Sequence, residues 1–159
     1  MNRMLIMLIT FALVLSLVSC SWLTSFYVAN KSDKPIVVTY RYKQYKNPKT
    51  QETICYFEES KELPRVCKGK EDDCRTLQPD EYRYDKDKCE LEVTLAPGEA
   101  IKVAKICCTY TGPDERFAHR FDVGELTIKT PSGLIRYDGF ELLKAFKKKD
   151  DTLYVLEYR

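Results

Sequence analysis

Along most of this chain, apolar and polar residues alternate with the two-residue period of half-buried strands, and turn residues interrupt the alternation at short intervals. The stretch "FYVAN" at 26–30 is followed by Lys-Ser-Asp-Lys-Pro and then by "IVVTYRY". In the latter, Ile36, Val38, Tyr40 and Tyr42 share one face, while Val37, Thr39 and Arg41 share the other, and the two stretches together read as a hairpin. "TICYF" at 53–57 is a third strand candidate, and "LEVTL" sets Leu91, Val93 and Leu95 opposite Glu92 and Thr94. Ala96-Pro97-Gly98-Glu99 is a turn, because proline presets φ and glycine accepts a positive one. In "AIKVAKICCTY", Ile101 and Val103 are in one phase and Ile106 and Cys108 in the other; a bulge near Ala104 or Lys105 accounts for the switch. "GELTIKT", "LIRYDGF" and the terminal "TLYVLEY" complete the strands. "ELLKAFKK" departs from the alternation, since Leu142, Ala145 and Phe146 fit helical spacing.

The pattern predicts an all-β fold: an antiparallel β-sandwich of immunoglobulin-like type, with about eight strands and one short helix near the C-terminus. A small closed β-barrel is the alternative. One stretch resists the pattern. Residues 58–89, "EESKELPRVCKGKEDDCRTLQPDEYRYDKDKC", are charged and turn-rich, with only Leu63, Val66 and Leu77 as aliphatic residues. A connection of this length without structure of its own is unusual inside a domain and is often functional. Cys67, Cys74 and Cys89 are placed to staple it, and Tyr82, Arg83 and Tyr84 are its candidate partner contacts, because tyrosine and arginine dominate binding hot spots.

The N-terminus is a targeting segment and stands outside the fold. Asn2 and Arg3 precede an almost unbroken apolar run from Met4 to Val18, too short for a comfortable membrane span, which takes about 20 residues. The run ends in Leu17-Val18-Ser19-Cys20, which resembles the lipobox of bacterial lipoproteins. The resemblance implies cleavage before Cys20, a diacylglyceryl group on its sulfur and acylation of its new amino group. Two or three acyl chains hold firmly where one holds marginally. Ordinary cleavage after Ser21 and an uncleaved anchor are the competing readings. Ser21 stands where the family's inner-membrane retention signal is usually aspartate, so the resemblance favours the periplasmic face of the outer membrane, with the cell membrane second. The domains expected are therefore a signal peptide at 1–19, a lipidated N-terminus with a short tether at 20–25, and a single β domain at 26–159.

Removal of residues 1–19 from the 159 leaves 140, enough for one domain with its own core. It also removes Arg3, so 25 basic residues face 24 acidic ones. So balanced a chain has no strong field to recruit nucleic acid. The Lys147-Lys148-Lys149 cluster is followed at once by Asp150 and Asp151, as in a solvated turn. Besides Cys20, six cysteines remain: Cys55, Cys67, Cys74, Cys89, Cys107 and Cys108. In an exported chain an even number reads as up to three disulfides of undetermined connectivity. On a strand, adjacent Cys107 and Cys108 point to opposite faces, so two different partners are expected for them.

Candidate chemistry is sparse. No C-x-x-C pair accompanies the single histidine, His119, so no metal or cofactor is expected. Asp114, Glu115 and Asp122 flank His119 in sequence, as in a solvated loop, and nucleophile elbows, phosphate loops and H-E-x-x-H are absent. The expectation is a non-enzymatic, membrane-anchored lipoprotein that binds a membrane-proximal envelope protein or serves in an envelope assembly. The alternative is a periplasmic inhibitor or immunity-type protein that blocks a cell-wall hydrolase. "PSGLIRY" resembles the Ser-Gly and Tyr loop of periplasmic lysozyme inhibitors through Ser132, Gly133 and Tyr137, although the spacing differs.

Overall fold

Alternating apolar residues become the inner faces of two packed sheets. The fold is described from a computed structural model covering residues 23–55, 63–68, 73–107, 110 and 112–159, with backbone only at 107, 115 and 116. The expected signal segment, Cys20 and Cys108 lie outside the described residues. In chain order the strands are β1 (Leu23–Asn30), β2 (Ile36–Tyr42), β3 (Gln44–Lys46), β4 (Thr53–Cys55), β5 (Arg65–Lys68), β6 (Cys74–Thr76) and β7 (Tyr82–Asp85). They continue with β8 (Glu90–Leu95), β9 (Glu99–Cys107), β10 (Val123–Thr130), β11 (Gly133–Asp138), β12 (Lys147–Lys148) and β13 (Leu153–Tyr158). The helices are a single turn, α1 (Glu115–Ala118), and α2 (Gly139–Ala145).

Sheet I has the order β12-β13-β1-β9-β5-β6 and sheet II the order β11-β10-β2-β8-β7; β3 and β4 form a separate hairpin. The all-β sandwich expected from the alternation is present, and neither sheet closes into a barrel. Its strand order is distinctive. An immunoglobulin domain keeps its first two strands in one sheet, whereas β1 and β2 lie in opposite sheets here and β1 pairs in parallel with β13. The hairpin reading of these two strands is therefore corrected: their apolar faces meet across the core instead of pairing edge to edge. The side chain of Asn30 holds the crossing. Fully buried, it donates to the carbonyls of Lys34 (2.8 Å) and Leu95 (3.0 Å) and accepts from the Ser32 N–H and hydroxyl. All its polar capacity is thereby used.

Phe26 is the centre of the core. It is completely buried and meets Tyr110, Phe121, Phe146 and Tyr154 at ring-centroid distances of 4.9–5.4 Å. Three of these contacts are edge-to-face, the arrangement that aligns positive ring edges with negative faces. Helix α2 closes this end of the sandwich with Leu142 and Leu143, both 0 % exposed, so the expected helix is present and its buried face includes Leu143.

Two local expectations hold. Between Phe26 and Tyr27 the register on β9 jumps from Ala104 to Lys102, leaving Val103 as the extra residue of a bulge. Val103 and Ala104 are consequently both buried, which is the phase switch seen in the sequence. Gly98, at φ +81°, follows Pro97 in the turn between β8 and β9, where the Ala96 N–H donates to the Glu99 carboxylate at 2.9 Å. Phe26→Ala is expected to lower stability by about 3–5 kcal/mol, read from the midpoint of a denaturant titration, whereas Thr127→Ala on the outer face of sheet II is expected to change it by about 0.5 kcal/mol at most.

Candidate functional site

The cysteines define the frame around the site. Cys55 bonds to Cys89 and Cys67 to Cys74. The first bond clips the base of the charged insertion to β4; the second joins directly opposed residues of the β5–β6 hairpin. Since these four cysteines satisfy one another, none of them is a partner for Cys107, which ends β9, or for Cys108; the pairing expected for these two lies outside the described side chains.

The insertion is also more structured than its composition predicts. Within its described residues, β5 and β6 extend sheet I and β7 extends sheet II. Sparse aliphatic residues suffice because neighbouring strands supply the rest of the apolar surface: Val66 and Leu77 are both 3 % exposed. On β7, Tyr82 and Tyr84 oppose Val93 and Leu91 and are half-buried against the core. Arg83 alone faces outward, 3.6 Å from Glu92. The expected contact triad is thus divided, with both tyrosines packed inward and only the arginine presented to solvent.

The other candidates disperse as well. His119 is exposed on the turn after α1, and no group of three metal-ligating side chains gathers among the described residues. Ser132 and Gly133 lie at the β10–β11 turn, but Tyr137 stands four residues down β11 and packs on the core, about 13 Å along the strand. The loop likeness to lysozyme inhibitors is therefore not a spatial cluster.

The two outer faces differ sharply in chemistry. Sheet II carries a ladder of ion pairs: the Arg41 guanidinium lies 2.8 Å from Glu90 and 3.2 Å from Glu125, and Glu125 also accepts from Arg136 at 3.0 Å. The hydrogen bond to Glu90 leads in holding Arg41 charged above its ordinary range. Such exposed pairs solvate the face and contribute little stability.

Sheet I instead carries on its outer face an apolar-floored groove of about 360 Å³, beside which Lys102 stands as the register neighbour of Tyr27. Its floor comes from register neighbours: Tyr27 beside Val155, and Ala29 beside Ala100, which in turn opposes Cys67. Small side chains on three adjacent strands make the depression, and the Cys67–Cys74 bond bounds one end. Lys31, Lys149, Asp150 and Glu157 supply the charges of the rim. Hydrogen bonds from Lys149 (2.8 Å) and then Arg159 (2.9 Å) hold the Glu157 carboxylate below its usual range.

An apolar floor bounded by both signs of charge can hold an extended, amphipathic segment. Among the described residues that line it, none pairs a nucleophile with an activating base. Sequence reasoning missed this groove, although one signal was present: "FYVA" is continuous apolar sequence where a solvated strand would alternate, and Tyr27 and Ala29 are indeed nine-tenths buried on the outer face. Compared with known proteins, the chain matches no family model, no curated protein and no solved structure.

The cystines have unequal leverage. In the chain-entropy model, a 34-residue separation contributes about 4 kcal/mol and a 7-residue separation about 2.5 kcal/mol. Replacing Cys55 and Cys89 together by alanine is accordingly expected to lower the thermal midpoint more than replacing Cys67 and Cys74, as measured by calorimetry.

Proposed function

We propose that this protein is an exported bacterial lipoprotein, acylated at Cys20, whose non-catalytic β domain binds another envelope protein. The observation that carries the binding reading is the groove on the outer face of sheet I, with a floor of Tyr27, Ala29, Ala100 and Val155 and a rim of mixed charge. An extended protein segment satisfies both parts at once, its apolar side chains on the floor and its polar ones on the rim. Two cystines fit an oxidising compartment outside the cytoplasm.

The anchor supplies the second constraint. The first strand begins at Leu23, earlier than the expected residue 26, which leaves two residues, Ser21 and Trp22, between it and Cys20 and a Cα-to-Cα reach of about 10 Å. A domain so held stays against the bilayer, and its partner is membrane-proximal. The outer membrane, on its periplasmic face, is the location we favour because Ser21 follows the acylated cysteine.

Growth with a labelled palmitate analogue is expected to label the chain, and Cys20→Ser is expected to abolish the label; a labelled Cys20→Ser chain would remove the anchor reading. Filling the groove with Ala100→Trp is expected to reduce partner recovery from crosslinked envelopes by about ten-fold, equivalent to 1.4 kcal/mol, while leaving the thermal midpoint within a few degrees. Undiminished recovery would move the binding surface elsewhere. A flexible insertion of about 20 residues after Ser21 is expected to impair function through added reach.

A further inference from the structure

A sandwich leaves its outermost strands with backbone N–H and C=O groups that no ladder satisfies, and proteins ordinarily blunt such edges. Among the described residues, three of the four sheet edges are blunted. β12 is two lysines long; β6 has three residues and is clipped by the Cys67–Cys74 bond; β7 has four residues and carries Arg83 and Asp85. β11 is different. It carries Arg136 and Asp138 much as β7 carries Arg83 and Asp85, but it runs for six residues, "GLIRYD", without proline or lysine, and presents Leu134 at 66 % and Ile135 at 36 % exposure.

The register shows which groups are open. Thr130 and Gly133 close a two-residue turn and so exchange both backbone hydrogen bonds, and the alternation of an antiparallel ladder extends this to Ile128 with Ile135 and Leu126 with Tyr137. The N–H and C=O groups of Leu134 and Arg136 therefore point away from β10, toward open solvent.

We propose that this edge is the seam of a two-fold dimer, in which β11 pairs antiparallel with β11 of a second copy and joins the two copies of sheet II into one continuous sheet. A two-fold axis perpendicular to the sheet keeps inner and outer faces continuous, so the axis passes through a residue, and five-residue overlap is reached only at Ile135 or Arg136. Centring on Arg136 sets two guanidinium groups directly opposite, which is unfavourable. Centring on Ile135 sets Ile135 beside its own copy at the closely spaced, non-hydrogen-bonded site. Leu134 then opposes Arg136 of the second copy in both directions, and the open backbone groups of both residues form four hydrogen bonds. Each Arg136 keeps Glu125 at 3.0 Å, so its charge remains compensated within its own chain. The pairing turns the strands of the two copies in opposite directions; two copies tethered to one surface would lie with their strands along it.

This seam is separate from the groove and independent of the lipid anchor, and it is tested by disulfide trapping of the full chain in an exporting bacterium, with the unsubstituted chain as the background for native cysteines. Ile135→Cys is expected to give a reducible dimer of twice the chain mass after mild oxidation, about ten-fold more than Leu134→Cys or Arg136→Cys, whose equivalent Cα atoms lie beyond the roughly 7 Å that a disulfide can span. Adding Leu134→Pro, which removes an N–H that β10 does not use, is expected to abolish the trapped dimer while the thermal midpoint shows the domain folded. Dimer from Arg136→Cys at or above that from Ile135→Cys would overturn the register and with it the proposal. An adduct of any other mass would assign the edge to a foreign strand, and a folded Ile135→Cys chain that stays monomeric would show the edge unoccupied; either result overturns the dimer.

Discussion

Coverage of strand β1 on every side is the constraint from which the remaining architecture follows. Along its length β1 pairs with β9 and β13, its inner face carries Phe26 and Val28, and its outer face carries Tyr27 and Ala29 beneath the rim of the groove. Because each pairing is made with a strand distant in sequence, the chain must cross between layers rather than fold back on itself. Asn30 makes that crossing tolerable: a buried amide with no partners would be costly, but here every donor and acceptor is used, and the turn is locked to β8 through the Leu95 carbonyl. Burial likewise governs Tyr40 on β2, whose hydroxyl pKa is raised well above its ordinary range by desolvation, with Tyr42 adding to the effect.

The charged insertion shows how composition misleads when a segment borrows its core. Counted alone, residues 58–89 bring too few aliphatic side chains to order themselves. Placed against β9 and β8, Val66, Leu77, Tyr82 and Tyr84 need only complete surfaces that already exist. The two cystines act at different places. Cys55–Cys89 holds the base of the insertion, and Cys67–Cys74 holds the tip of a two-stranded extension whose three- and four-residue strands are short for unaided pairing.

The proposed binding role rests on the unlike treatment of the two outer faces. Sheet II fills its outer positions with alternating charges, so that each carboxylate meets a guanidinium and water can reach them. Sheet I places small and apolar residues along the floor of its groove and sets Lys31, Lys149, Asp150 and Glu157 at the rim. A ligand that loses water gains most on the second kind of surface, where the floor offers apolar area and the rim offers partners for polar groups.

Most strands, the turn at Pro97-Gly98, the bulge beside Ala104 and the helix at 139–145 were legible in the sequence, because each is set by local periodicity or by the φ preferences of single residues. The likeness to a lipobox is equally local, resting on four adjacent residues. Only the packed fold shows that β1 and β2 face each other, that Cys55 finds Cys89, that the tyrosines of "YRY" turn inward, and that Ala29, Ala100 and Cys67 lie side by side. Those facts depend on register between segments tens of residues apart, and a period of two says which face a side chain takes but not which strand lies next to it.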